Sequence, residues 1–279
     1  MRAAVVGAGL AGLSAAYRLQ DAGWDVEVFE SEPHVGGRVR TVRSDGYQVD
    51  IGATVVGATY ESYLSLAQEL GLRDEIVPAS PYVGIFRDGR LHHLRMDRMI
   101  RSGLTTRVLS WPAKARLARL GWDLLRAKRS GWLDYADMRK SAPLDTETAR
   151  AYACRVAGEE VDEYLCSPIV RTMQIAGTER VSKVDLMSGL ANIFSAQFYA
   201  LRGGQGRLCE TLAERLKVHV STPVDAVVDR GDGVSVTADG HIGQFDAAVV
   251  AAPLPVASSI CPDRAKLLAP LADRLKYTT

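Results

Sequence analysis

Cysteine is scarce. The 279-residue chain holds four, Cys154, Cys166, Cys209 and Cys261, scattered with no C-x-x-C pair. That spacing excludes a zinc ribbon and a disulfide framework, and it suits the reduced thiols of a cytosolic protein. The five histidines lack ligand spacing as well. Only His92 and His93 are close, and neighbours on a strand point to opposite faces, so no metal site is expected. No apolar run is long enough to span a bilayer. Neither sign of charge dominates: 34 Lys and Arg stand against 33 Asp and Glu. The chain as a whole is therefore not a polyelectrolyte binder, and no nucleic-acid module is recognisable. The apolar stretch Met1 to Leu19 is not read as a signal peptide, because no small-residue cleavage site follows it. What remains is an ordinary globular composition, long enough for one large domain or two modest ones, with the cytoplasm as its expected location.

The order of elements is mixed at both ends and helical between. Arg2 to Val6 reads as a short buried strand, Leu10 to Ala22 as a helix stopped by Gly23, and Asp25 to Phe29 as a second strand. Val39 to Val42 and Tyr47 to Ile51 read as strands around Ser44-Asp45-Gly46. Glu61 to Leu70 has helical spacing, with Gly71 as its stop. Val83 to Phe86 and Leu91 to Leu94 flank Arg87-Asp88-Gly89-Arg90, a hairpin signal. From there to about Ala200 the pattern is mostly helical. Leu117, Leu120, Leu124 and Leu125 are placed on one helix face, Asp145 is a candidate N-cap, and Ser182 with Asp185 resembles a capping box. Gln205 to Leu216 reads as a helix. Val218 to Val220, Val224 to Asp229, Val234 to Ala238 and Ala247 to Ala251 read as strands.

Gly7-Ala8-Gly9-Leu10-Ala11-Gly12 matches G-x-G-x-x-G between the first strand and the first helix. Gly7 permits the tight turn, Gly9 lets a pyrophosphate approach the backbone, and Gly12 allows close helix–strand packing. The helix N-terminus offers free N–H groups to phosphates. Glu30 closes the second strand, where it can accept hydrogen bonds from ribose hydroxyls and repel a 2′-phosphate, which disfavours NADP. NAD and FAD both fit the fingerprint itself.

Glu30 to Arg38, ending Gly36-Gly37-Arg38, resembles a segment of the flavoprotein superfamily of amine oxidases, protoporphyrinogen oxidases and phytoene desaturases. Asp50-Ile51-Gly52-Ala53 resembles the stretch that passes the flavin ring in that family. The resemblance extends through Arg87 to Leu94, Ala157 to Pro168, Val181 to Val184, the turn Leu201 to Leu208, Thr222 to Val227 and Ala247 to Pro253, and so covers nearly the whole chain. It implies an α/β fold: a Rossmann-like, glutathione-reductase-type FAD-binding domain from residues 1–80 and 200–279, and a largely helical substrate or insert domain from 81–199. It implies FAD as cofactor, held by Gly7, Gly9, Leu10, Ala11, Gly12, Glu30, Ser31, Gly36, Gly37, Arg38, Gly52, Ala53, Thr54, Val224 and Ala252, with Arg38 stabilising negative charge. The chemistry implied is flavin-mediated oxidation of a small-molecule substrate, apolar or amine-containing. No catalytic residue is assigned. In such enzymes the cofactor carries the hard step, so no nucleophile or acid–base pair need stand out.

Two features qualify this expectation. Members of the family run past the Ala251-Ala252-Pro253 strand and carry a second FAD motif near the C-terminus, together with the lysine and aromatic cage of the amine oxidases, whereas this sequence ends at Thr279. A fragment, a natural short form, a non-catalytic nucleotide-binding relative, or a subunit completed by a partner chain all fit. An NAD-dependent dehydrogenase fits less well, because of Gly36-Gly37-Arg38. In addition, residues 87–140 carry 14 Lys or Arg against 5 Asp or Glu, together with Trp111, Trp122 and Trp132. Residues 111–129 form either a lid helix with leucines packed inward, the favoured reading, or a peripheral membrane contact. Arg95 and Arg98 are read as surface cations in preference to partners of substrate carboxylates.

Overall fold

A computed structural model describes residues 1–134, 137–195 and 197–275. They fall into two compact units. The first comprises Met1–Val56, Tyr60–Pro78 and the described residues from Tyr199 onward; the second comprises Gly57–Thr59 and the described residues of Ala79–Phe198.

The first unit is built on a parallel sheet. Strand β1 (Arg2–Val6) leads through helix α1 (Leu10–Asp21) to strand β2 (Asp25–Phe29). β1 lies between β2 and the strand Ala247–Val250, and Lys217–His219 extends the sheet beyond β2. Side chains alternate across a strand, and both faces of this sheet are covered. Ala3 and Val5 join Leu13, Ala16, Leu208 and Leu212 in one core. Ala4 and Val6 join Val227, Val236 and Phe245 in another. The second core belongs to an antiparallel sheet of Val224–Asp229, Val234–Ala238 and His241–Phe245. Gly23, at φ +83°, ends α1: its N–H bonds to Gln20 O while Trp24 N–H reaches back to Leu19 O. This is the left-handed cap expected of glycine there.

The second unit combines a hairpin with helices. Strands Tyr82–Arg87 and Arg90–Arg95 pair around Asp88 and Gly89, both at positive φ, as the turn signal requires. The helix Trp111–Arg129 starts at Ser110, whose Oγ accepts from Ala113 N. Glu160 in turn accepts from the Ser110 N–H and hydroxyl and from Arg87. These bonds, the Ser110 hydroxyl foremost and Arg87 next, hold the Glu160 carboxyl down at about 2. Leu117, Leu120 and Leu124 face a core that includes Tyr152, Val161, Leu186 and Leu190.

Two local expectations are corrected. Leu125 does not share the leucine face; it is 41% exposed, because a 100° step from Leu124 carries it toward solvent. Asp145 caps no helix N-terminus. Thr148 does so for Ala149–Val156, and Asp145 instead accepts from the Ser182 hydroxyl. The Ser182 and Asp185 pairing does form: Asp185 accepts from Ser182 N, and Ser182 Oγ accepts from Val184 N.

A charge cluster ties the parallel sheet together. Glu27, 12% exposed, accepts from Lys217 Nζ at 2.8 Å and Arg2 Nη2 at 2.8 Å, and lies 2.9 Å from His219 Nε2. The hydrogen bond from Lys217 is the largest cause of a carboxyl value lowered from 4.5 to about 2. A depressed folded value stabilises the fold above the unfolded value and ceases to do so as pH falls through the folded one. Glu27→Gln is therefore expected to lose roughly 1–3 kcal/mol at pH 7, with the gap to wild type narrowing from pH 4.5 toward pH 2. Denaturant unfolding along that pH series checks it; a gap independent of pH would refute the role.

Candidate dinucleotide site

The expected cofactor residues all lie in the first unit, and backbone contacts draw them together where the parallel strands end. Gly7 takes φ +102°, and its N–H donates to Phe29 O, so the turn joins the ends of β1 and β2. A methyl group on Gly12 would run into the Gly7 carbonyl oxygen. Gly9 is the N-cap of α1 in extended conformation, with no side-chain cap and no acidic residue in the first turn. A Cβ on Gly9 would meet nothing within 4 Å. The N-terminus of α1 thus carries its partial positive charge with no side-chain cap and no acidic residue in its first turn, beside the open space over Gly9.

Glu30 is buried. Its Oε2 accepts from Ala8 N at 2.7 Å, and its Oε1 accepts from Glu32 N at 3.0 Å and Ser31 Oγ at 3.2 Å. A carboxylate has about four acceptor sites, so capacity remains beyond these three bonds. The loop after Glu30 returns to the glycine turn. Gly36 N–H donates to Ala8 O at 2.9 Å, Gly36 bridges Gly9, and a Cβ on Gly37 would stand 3.5 Å from Gly9 Cα. Arg38 is exposed and has no ion-pair or hydrogen-bond partner for its guanidinium among the described residues. Ala53 N–H donates to Arg38 O at 3.0 Å, and Gly52 packs so closely on that carbonyl that a Cβ would collide with it. Thr54 follows, exposed.

Two later segments complete the rim. Thr222 N–H donates to Glu30 O and Ser221 N–H to Glu32 O, which brings the chain entering the strand at Val224 alongside the end of β2. Ala251 N–H donates to Val6 O, and the site of a Gly7 Cβ lies 3.5 Å from Ala252 N. All fifteen expected residues therefore belong to this strand-end constellation or to segments hydrogen-bonded to it. Arg95, by contrast, is paired with Asp97.

The sequence reading missed the support beneath these loops. Gln205 is fully buried. Its Oε1 accepts from Tyr63 Oη at 2.5 Å, its Nε2 donates to Thr54 O at 3.2 Å, and its backbone N–H donates to Asp50 Oδ1 at 2.9 Å. Thr41 Oγ1 donates to the same Asp50 oxygen at 2.5 Å and accepts from Gly206 N at 2.9 Å. Burial pushes the Tyr63 phenol upward. The one available signal was an uncharged polar residue set directly after Gly203-Gly204 at the start of a helix.

An open glycine turn at the carboxyl ends of parallel strands defines a dinucleotide-binding fold. Residues 10–279 match the profile of the family described as flavin containing amine oxidoreductase. A Mycobacterium tuberculosis protein bearing the name flavin-containing monoamine oxidase AofH is 30% identical over 275 residues, covering 92% of this chain and 57% of its own length. The coproporphyrinogen III oxidase of Propionibacterium freudenreichii is 28% identical over 300 residues, covering 88% of this chain and 56% of its own. Among solved structures, cyclohexylamine oxidase from Brevibacterium oxydans superposes with a TM-score of 0.75 at 24% identity, over 96% of this chain and 62% of that one; this likeness shows the fold. The chain belongs to the flavin-containing amine oxidoreductase family. It spans somewhat more than half the length of the curated relatives it matches, and the FAD expected from its motifs is a flavin, the cofactor class in the family's description.

The buried network yields a test. Gln205→Leu strands the Tyr63 hydroxyl and the Thr54 carbonyl, and is expected to cost roughly 2–3 kcal/mol. Tyr63→Phe is expected to cost about 1 kcal/mol, and the double variant less than the sum of the two. Strict additivity in urea unfolding would show that the two residues do not act together.

Proposed function

We propose that this chain binds FAD through the strand-end constellation and serves a flavin-dependent oxidoreductase acting on a small apolar or amine-containing substrate. The observation that carries the reading is the convergence of the Gly7 to Gly12 turn, the Gly36-Gly37-Arg38 loop and the Gly52 to Thr54 segment around the open space over Gly9. The α1 N-terminus and the unpaired Arg38 would meet the pyrophosphate, and Glu30 the ribose hydroxyls. The Asp50 to Thr54 backbone, fixed by Gln205, would support the flavin end. Residues near Val224 would line the adenine side. Bound flavin supplies the two-electron oxidation of a substrate C–H or C–N unit. The names of the relatives, a monoamine oxidase and a porphyrinogen oxidase, support the substrate class. On this reading, residues 81–199 form the substrate-side domain.

The first unit offers a clean contrast between ligand and fold. Gly9→Ala meets no protein atom and is expected to leave the melting temperature of the cofactor-free chain nearly unchanged while weakening FAD binding at least about tenfold, since the Cβ would occupy the phosphate approach. Gly12→Ala is expected to destabilise the fold itself by roughly 2–4 kcal/mol. The measurements are the visible flavin spectrum after gel filtration and a fluorescence titration with FAD. A wild-type chain that stays colourless and cannot be reconstituted would sink the proposal, as would Gly9→Ala binding FAD like wild type.

A second reading concerns the helix Trp111–Arg129. Trp111 and Trp122 are 74% and 65% exposed beside exposed arginines, an arrangement that favours contact with an anionic membrane surface, whereas Trp132 packs toward the core. Co-flotation with phosphatidylserine vesicles is expected at low salt and is lost in Trp111→Ala/Trp122→Ala. Equal flotation with phosphatidylcholine vesicles would remove the electrostatic part of the argument.

A further inference from the structure

The helical unit holds an apolar cavity of about 380 Å³, a size typical of small-molecule sites. Leu94 of the hairpin, Met99 and Leu104 of the helix Met99–Thr105, and Leu117, Leu120 and Leu124 of Trp111–Arg129 line it. The helix Met99–Thr105 has no buried residue, and Ile100 and Leu104 on the cavity rim are 82% and 58% exposed. The walls are thus apolar while the rim is open to solvent. Burying apolar matter there would remove surface from water on both sides.

Among the lining residues one carries charge. Lys114 Nζ donates to Leu104 O at 2.8 Å and Thr106 O at 2.6 Å, and lies 4.5 Å from the centre of the Trp111 ring. No carboxylate pairs with it among the described residues. Two carbonyls therefore hold the ammonium in place, and one of its three donors remains unspent. A fixed, unneutralised cation on the wall of an apolar cavity is complementary to a ligand with an apolar body and one negative charge.

We propose that this cavity binds a small anionic amphiphile, an aliphatic carboxylate whose chain lies among the leucines and whose carboxylate meets Lys114. The site shares no residue with the dinucleotide constellation and does not depend on its assignment.

Gly121 supplies the decisive variant. It lines the cavity, and a Cβ there would meet nothing within 4 Å. Replacing a mid-helix glycine by leucine raises helix propensity, so Gly121→Leu should fold and melt no lower than wild type while filling the ligand space. The probes are decanoate and 1-decanol, both kept below self-association and titrated calorimetrically into the full chain. Wild type is expected to bind decanoate, and Gly121→Leu to bind neither probe. Lys114→Gln, with its circular dichroism checked, is expected to weaken decanoate at least about tenfold while leaving decanol within about twofold. Failure of wild type to bind decanoate, wild-type binding by folded Gly121→Leu, or decanoate binding indifferent to Lys114→Gln would each overturn the proposal.

Discussion

The approach of α1 to the end of β1, with Gly12 seated against the Gly7 carbonyl, is the contact on which the first unit depends. No side chain fits between them. That closeness sets the start of the helix directly beyond the strand and lets Leu13 and Ala16 reach Val5 and Val28 in one core. Two glycines three residues apart thus differ in kind: Gly12 is crowded by protein, whereas a Cβ on Gly9 would face empty space.

Around this contact the loops are held mainly by backbone. Gly36 to Ala8, Ala53 to Arg38 and Thr222 to Glu30 are main-chain hydrogen bonds between segments far apart in sequence. Such bonds place no demand on side-chain identity. The loop at Arg38 is thereby held through its carbonyl, with no demand on the guanidinium. Glu27 shows the opposite economy on the same sheet, gathering three basic side chains from β1 and a distant strand.

How much of this could be read from sequence follows from the range of each interaction. The βαβ unit, both hairpin turns and the Gly23 stop were legible because glycine spacing and period-2 patterning are local signals. Asp145 was misjudged because Asp and Thr are both good caps, and only the pairing of residue 148 with 182 decides which one begins the helix. Leu125 was misjudged because four leucines within nine residues exceed the width of the face that the core accepts. The strand His241–Phe245 was missed: His241, Ile242 and Gln244 are exposed, so it carries almost no apolar alternation. Gln205 was invisible as a support because its partners, Tyr63, Thr54 and Asp50, lie more than a hundred residues away.

Glu30 joins the structural and functional arguments. Its position was legible, but its bonds to Ala8, Ser31 and Glu32 were not. They orient the carboxylate before any ligand arrives, so its remaining acceptor capacity is presented in a fixed direction. A hydroxyl-bearing ligand would then be recognised without the entropy cost of ordering a mobile side chain. The same carboxylate closes the loop that carries Gly36 and Gly37 back onto Gly9. Losing Glu30 would therefore disturb the shape of the glycine turn as well as any ribose contact, and the two effects separate only if the cofactor-free fold is measured beside the ligand affinity. Where the chemistry resides in a cofactor, as the proposed function has it, fixing that cofactor in advance would be the larger part of what the polypeptide contributes.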